Sequence, residues 1–149
     1  MPRVNFHILY PNFKLKNRKK IILWLEHTIN AHGYFPGKLN FIFCSDDYLF
    51  NLNSKHLHHK TFTDIITFNY NSGHLINGDV FISIERVDEN AQKFNETFDT
   101  ELNRVMIHGV LHLLGFDDKN ASASKKMRVL ENKSLKQLQN ILFHMKPQS

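Results

Sequence analysis

Cysteine is nearly missing. Cys44 is the only one in 149 residues, so no internal disulfide can form, and a chain without such staples suits a reducing compartment. Long apolar runs are missing too. No stretch approaches the roughly 18 to 20 residues of a membrane-crossing helix, and the opening MPRVNFHILYPNF lacks the extended apolar core and small-residue site of an export signal. No membrane partner is expected, and the cytoplasm is the expected location. Asn95-Glu96-Thr97 and Asn132-Lys133-Ser134 match the glycosylation pattern, which carries no meaning there. Repeats, low-complexity tracts and linkers are absent, so 1–149 reads as one domain, long enough to bury a single core.

Acid is in shorter supply than base. Nineteen Lys and Arg against fourteen Asp and Glu leave a net charge of +5, an excess that favours polyanionic partners. Lys14, Lys16, Arg18, Lys19 and Lys20 crowd one segment, and Lys119, Lys125, Lys126, Arg128, Lys133 and Lys136 form a second. Cations in the first turn of a helix oppose its dipole, so the group at 18–20 is not there for helix stability. It is either a solvated face or a phosphate contact.

Apolar periodicity divides the chain into strands first and helices after. Val4 to Tyr10 alternates as a strand; Asn17 can cap a helix through Ile21, Ile22, Leu25 and Ile29 that ends at Gly33. Lys38 to Cys44 is a second strand, followed by a short helix capped by Ser45 or Asp46 and a polar loop over 55–60. Thr63 to Tyr70 and Gly78 to Ile84 are β-branched and aromatic, with Asn71-Ser72-Gly73 between them, and are expected to pair. Helices follow from Glu85 to about Phe94, from a cap at Asp99 or Thr100 to Leu114, and from Ser122 to about Met145. This segregation predicts an α+β fold: a small mixed four-stranded sheet covered by helices.

The segment Ile107 to Asp118, IHGVLHLLGFDD, carries the chemistry. Ten histidines in a chain of this length give roughly 0.6 pairs at i,i+4 by chance, so the spacing of His108 and His112 alone proves little. Its setting says more. The helix around them is apolar on nearly all sides, so both imidazoles face one way inside the fold, where each ring needs partners for two nitrogens. One divalent cation can take a nitrogen from each, and Gly115 lets the chain reverse and bring back Asp118 or Asp117, of which Asp118 is preferred. Three protein ligands leave a vacancy where an ion binds water and polarises a carbonyl or phosphoryl oxygen. Gly109 stands where a zinc peptidase carries its glutamate base. The alternative is two core histidines bonded to backbone carbonyls. The three histidines of Lys55-His56-Leu57-His58-His59-Lys60 lie too close on a loop to converge on one ion.

His108-Gly109-Val110-Leu111-His112-Leu113-Leu114-Gly115-Phe116-Asp117-Asp118 resembles the signature H-G-x-L-H-L-x-G-[YF]-D-H of the YbeY family, metal-dependent endoribonucleases of ribosomal RNA maturation, and departs from it only at the last position. Leu52-Asn53, Thr63-Asp64-Ile65-Ile66-Thr67-Phe68 and Gly78-Asp79-Val80 are similar to the family's L-N, T-[DN]-V-L-S-F and G-D-[IV] blocks, in order. The resemblance implies a zincin-like fold with the metal site at the end of a buried helix and one bound zinc. It also implies cleavage of single-stranded RNA, not DNA, in maturing the 3′ end of small-subunit ribosomal RNA and in ribosome quality control. His108, His112 and Asp118 are then the metal ligands, with aspartate in place of the family's third histidine.

A second departure is Leu57, where family members often carry an arginine thought to assist at the phosphate. Lys55, His58, His59, Lys60 and Arg104 are candidates to replace it, and Asp79 and Asp64 to accept hydrogen bonds from the ligands or to handle protons. The expected catalytic set is His108, Asp79 and Arg104; the expected RNA contacts are Lys19, Lys20, Lys55, His58 and Lys60. Two competing readings are a metal-dependent peptidase or amidase on the same helix, and a non-catalytic ribosome-assembly factor with structural zinc.

Overall fold

The computed structural model describes residues 3–56 and 63–144. Nine elements follow in the order β1 (Val4–Ile8), α1 (Arg18–Ala31), β2 (Phe35–Cys44), α2 (Asp46–His56), β3 (Ile65–Asn69), β4 (Leu75–Ser83), α3 (Ile84–Lys93), α4 (Phe98–Leu113) and α5 (Ala121–His144). The strands form one sheet in the order β1-β2-β4-β3. β1 and β4 both run parallel to β2, and β3 pairs antiparallel with β4, as its neighbouring turn predicts. The α+β expectation of a small mixed four-stranded sheet covered by helices therefore holds.

Side-chain alternation gives the sheet two unlike faces. Val4, Leu39, Phe41, Phe43, Val80 and Ile82 enter the main core, where Trp24, Leu25 and Ile29 of α1 and Met106, Val110 and Leu113 of α4 meet them. The other face carries Cys44, Ile66, Phe68 and Phe81, gathered under Leu49 and Leu52 of α2. Helix α5 lies outside α1 and α4 and is tied to α1 by buried polar contacts. Trp24 Nε1 donates to the Ser134 carbonyl at 2.8 Å, and the Thr28 and Ser134 hydroxyls are 3.2 Å apart.

Several helix starts differ from expectation, each for a local reason. Asn17 precedes α1 but takes a left-handed conformation, φ 59°, and its side chain makes no capping bond. The cap of α4 is Thr97, whose hydroxyl accepts from Thr100 N at 3.1 Å, two residues before the expected Asp99. Strand β2 begins at Phe35, not Lys38, although Pro36 and Gly37 read as breakers. Proline is tolerated there because β1 starts to pair with β2 only at Leu39, so Pro36 needs no donor on that side.

Candidate metal centre

Helix α4 lies close upon the sheet, and Gly109 is what permits it. A Cβ at that position would be 2.9 Å from Val80 Cγ1 and 3.0 Å from Ile65 Cδ1, closer than carbon atoms pack. Residue 109 therefore faces the sheet, and residues 108 and 112 turn away from it toward the loop after the helix. Gly115, at φ +102°, ends α4. Its amide returns to the His112 carbonyl and the Phe116 amide to that of Leu111, both at 3.0 Å, closing the last turn.

That reversal brings three side chains together. His108 Nε2 and His112 Nε2 are 2.9 Å apart. The Asp118 carboxylate lies 3.6 Å from the first and 3.7 Å from the second. One donor atom from each fits within a span of 4.8 Å. Two imidazole nitrogens that close must share a proton or a cation, since two bare lone pairs repel. The separations bracket the edge of about 3.3 Å expected for ligands 2.0–2.1 Å from one tetrahedral ion. The donor set thus fits a divalent metal of the zinc type. Asp117 points elsewhere, its carboxylate accepting from Lys119 N at 3.2 Å.

Behind the ligands the two histidines differ. His108 Nδ1 is 2.6 Å from Glu131 Oε2 on α5, and Glu131 Oε1 accepts from Arg104 Nη1 at 3.2 Å. Arg104 Nη1 also donates to Asn132 Oδ1 at 2.9 Å. His112 instead bonds to the backbone at Phe116. Burial alone would lower the pKa of His108, but the hydrogen bond and charge of Glu131, with Asp118 and Asp64, raise it above the usual range. Burial, then the neighbouring His108, push His112 down. Glu131 is held below the usual carboxylate range: burial raises it, but the hydrogen bond and charge of His108 and the bond from Arg104 outweigh that.

A cavity of about 260 Å³ opens beside His108 and Asp118, lined also by Asp64, Glu101, Arg104, Arg128 and Glu131. Burial raises the Asp64 carboxyl above the ordinary range against the pull of His108. Burial raises Glu101 likewise, against Arg104. The structure therefore brings Arg104 and Asp64 to the ligands, but not Asp79. Asp79 lies between Gly78 and Val80, which face α4, so it projects to the opposite side of the sheet and accepts from Asn40 Nδ2 at 3.0 Å. Its expected place in the catalytic set is corrected accordingly.

The expected RNA contacts divide in the same way. Lys19 and Lys20 lie on the first turns of α1, whose neighbours Lys14 to Asn17 and Ile21 line a separate cleft with Asp99, Leu102 and Asn103 at the start of α4. The metal ligands follow from the other half of that helix. Lys55 is exposed on the last turn of α2, and Leu57, His58, His59 and Lys60 fall outside the described residues. Glu131 escapes the sequence reading, and Arg128, read there only as one member of the second basic cluster, lines the cavity beside the ligands. For Glu131 a signal existed: Met127, Glu131, Ser134 and Leu138 are the buried stripe of α5, and a glutamate at that spacing is a buried charge in need of a partner.

Comparison with known proteins identifies the family. The family model for endoribonuclease YbeY matches residues 11–139. Endoribonuclease YbeY of Flavobacterium psychrophilum is 44% identical over 135 residues, covering 91% of this chain and 93% of that protein. That of Christiangramia forsetii is 42% identical over 134 residues, 90% of each chain. The solution structure of TM1509 from Thermotoga maritima superposes with a TM-score of 0.61 at 29% identity, covering 89% of this chain and 88% of that one. A match that spans strands, helices and the turn presenting Asp118 makes this chain a member of the YbeY family.

Proposed function

We propose that the protein is a metal-dependent endoribonuclease that cleaves single-stranded RNA, using one zinc ion held by His108, His112 and Asp118. The convergence of those three donors at the edge of a cavity that also presents two guanidinium groups carries this reading. An ion held there supplies Lewis-acid polarisation of a phosphoryl oxygen and a vacancy for solvent. The chain's own groups do the rest. Arg128 is exposed, lines the cavity, and has no ion pair within 4 Å among the described residues, so it is available to a phosphate and stands in for the guanidinium that Leu57 does not provide. The Asp64 carboxyl, kept protonated longer than usual by its burial, is the group best placed to hold or release a proton near the scissile bond. Lys19, Lys20 and Lys55, away from the cavity, would guide the RNA strand by its charge.

Residues 1–149 act as one catalytic domain in the cytoplasm, on ribosomal RNA of the small subunit and in maturation of its 3′ end. Membership of a family whose relatives are named endoribonucleases supports the RNA substrate. No helix among the described residues is long and apolar enough to cross a membrane. The peptidase alternative finds no support: Gly109 faces Val80 and Ile65, so a glutamate base at that position would be driven into the sheet. Metal analysis of the purified protein, with cleavage of a single-stranded RNA and a matched DNA in the presence and absence of chelator, tests the reading. Zinc near one per chain and chelator-sensitive cleavage of RNA alone is the expected result; metal-free cleavage overturns it.

A further inference from the structure

We propose that Glu131, clamped by Arg104, is a positioning residue that fixes the tautomer and orientation of His108 and makes His108 the stronger of the two imidazole ligands in an asymmetric metal centre. The inference rests on the metal reading above and adds a residue from a different helix. Glu131 comes from α5, and its side chain is only 6% exposed. An ionised carboxylate can only accept, so the 2.6 Å contact requires the proton to lie on His108 Nδ1. In the neutral ring Nε2 then carries the lone pair, and it is Nε2 that faces His112 and Asp118.

Arg104 completes the device. A buried carboxylate without compensation would take up a proton and lose its hold on the ring. Arg104 Nη1, bonded to Glu131 Oε1 and to Asn132 Oδ1, supplies the opposing charge and fixes the carboxylate from its other oxygen. Arg104 is therefore part of the support beneath the ion. His112 has a neutral backbone partner at Phe116, and Asp118 is 45% exposed. Of the two imidazole ligands only His108 is backed by a buried charge, which makes its Nε2 the stronger donor of the pair.

Competition titration of zinc against a chromogenic chelator measures the effect. Glu131→Gln keeps an acceptor of similar size but removes the charge, and should bind zinc about 10- to 100-fold more weakly than the unaltered protein. Glu96→Gln, at an exposed position, should bind it normally. Equal affinity in Glu131→Gln and the unaltered protein would overturn the inference while leaving the metal reading intact. Absence of zinc binding in the unaltered protein would overturn both. Proton–nitrogen correlation spectra of the unaltered, zinc-loaded protein decide the matter even if the variant fails to fold. The His108 Nδ1 proton must lie well downfield of its His112 counterpart and exchange slowly with solvent, as a short bond to a buried carboxylate requires, and equal shifts sink the proposal.

Discussion

At the scale of single residues the centre is governed by what surrounds each titratable group. In the metal-free protein the raised His108 pKa means that its charged contact with Glu131 stabilises the fold fully below the unfolded value of about 6.5, and is lost as pH rises through the folded one. The depressed Glu131 pKa sets the opposite limit, stability being lost as pH falls through that value. His112, lowered by burial, works against the fold below about 6.5. Thermal melts of chelator-treated protein between pH 5 and 8 should therefore lose more stability toward the alkaline end in the unaltered chain than in Glu131→Gln. Parallel profiles would show that the pair contributes nothing. Cys44 offers a cleaner test. Burial first, then the charge of Asp46, pushes its thiol up to about 12. It should resist thiol-directed reagents at pH 8 until the protein unfolds.

At the scale of elements, contact between α4 and the sheet sets the geometry of the ligands. Gly109→Ala forces a methyl group against Val80 and Ile65. It should cost about 1–3 kcal/mol in chemical denaturation and weaken metal retention as the helix is lifted. Trp24→Phe removes the 2.8 Å bond between α1 and α5 and leaves a cavity at a fully buried site, so it should cost about 2–4 kcal/mol, with zinc affinity nearly unchanged. Element types and the pairing of β3 with β4 were legible in the sequence, from alternation, helical spacing and the intervening turn, whereas the parallel pairing of β2 with β1 and β4 was not. Helix starts were less so: Thr97, Asp99 and Thr100 all have capping side chains, and only the path of the backbone selects one. Asp79 was misplaced for a related reason. Its neighbours form a recognisable block, but the side of the sheet it faces depends on where α4 packs.

At the scale of the whole molecule, the proposed function divides the basic residues between guidance at the start of α1 and chemistry beside the ligands. His108, His112 and Asp118 were legible because they lie within eleven residues of one another on a helix and the turn after it. Glu131 was legible only as a buried charge on the apolar stripe of α5, because its partner is set by the packing of α5 against α4, a tertiary fact that no local pattern encodes. Replacing Lys19 and Lys20 with glutamine should weaken RNA binding and lessen the slope of log affinity against log salt by about 0.7 for each phosphate no longer neutralised, with the maximal cleavage rate unchanged. Arg128→Ala should instead lower the maximal rate, because it removes charge beside the ion. Equal behaviour of the two variants would undo this division.

The lateness of α5 in the chain carries a last consequence. A growing polypeptide displays both imidazoles and the turn aspartate before the carboxylate behind them has been made. Until α5 docks, Glu131 does not yet stand behind the first histidine, and on the proposal above an ion captured then would be held more weakly. On that proposal maturation of the nuclease waits for α5 to be made and docked, and a product ending before α5 should hold zinc more weakly although it retains the signature motif.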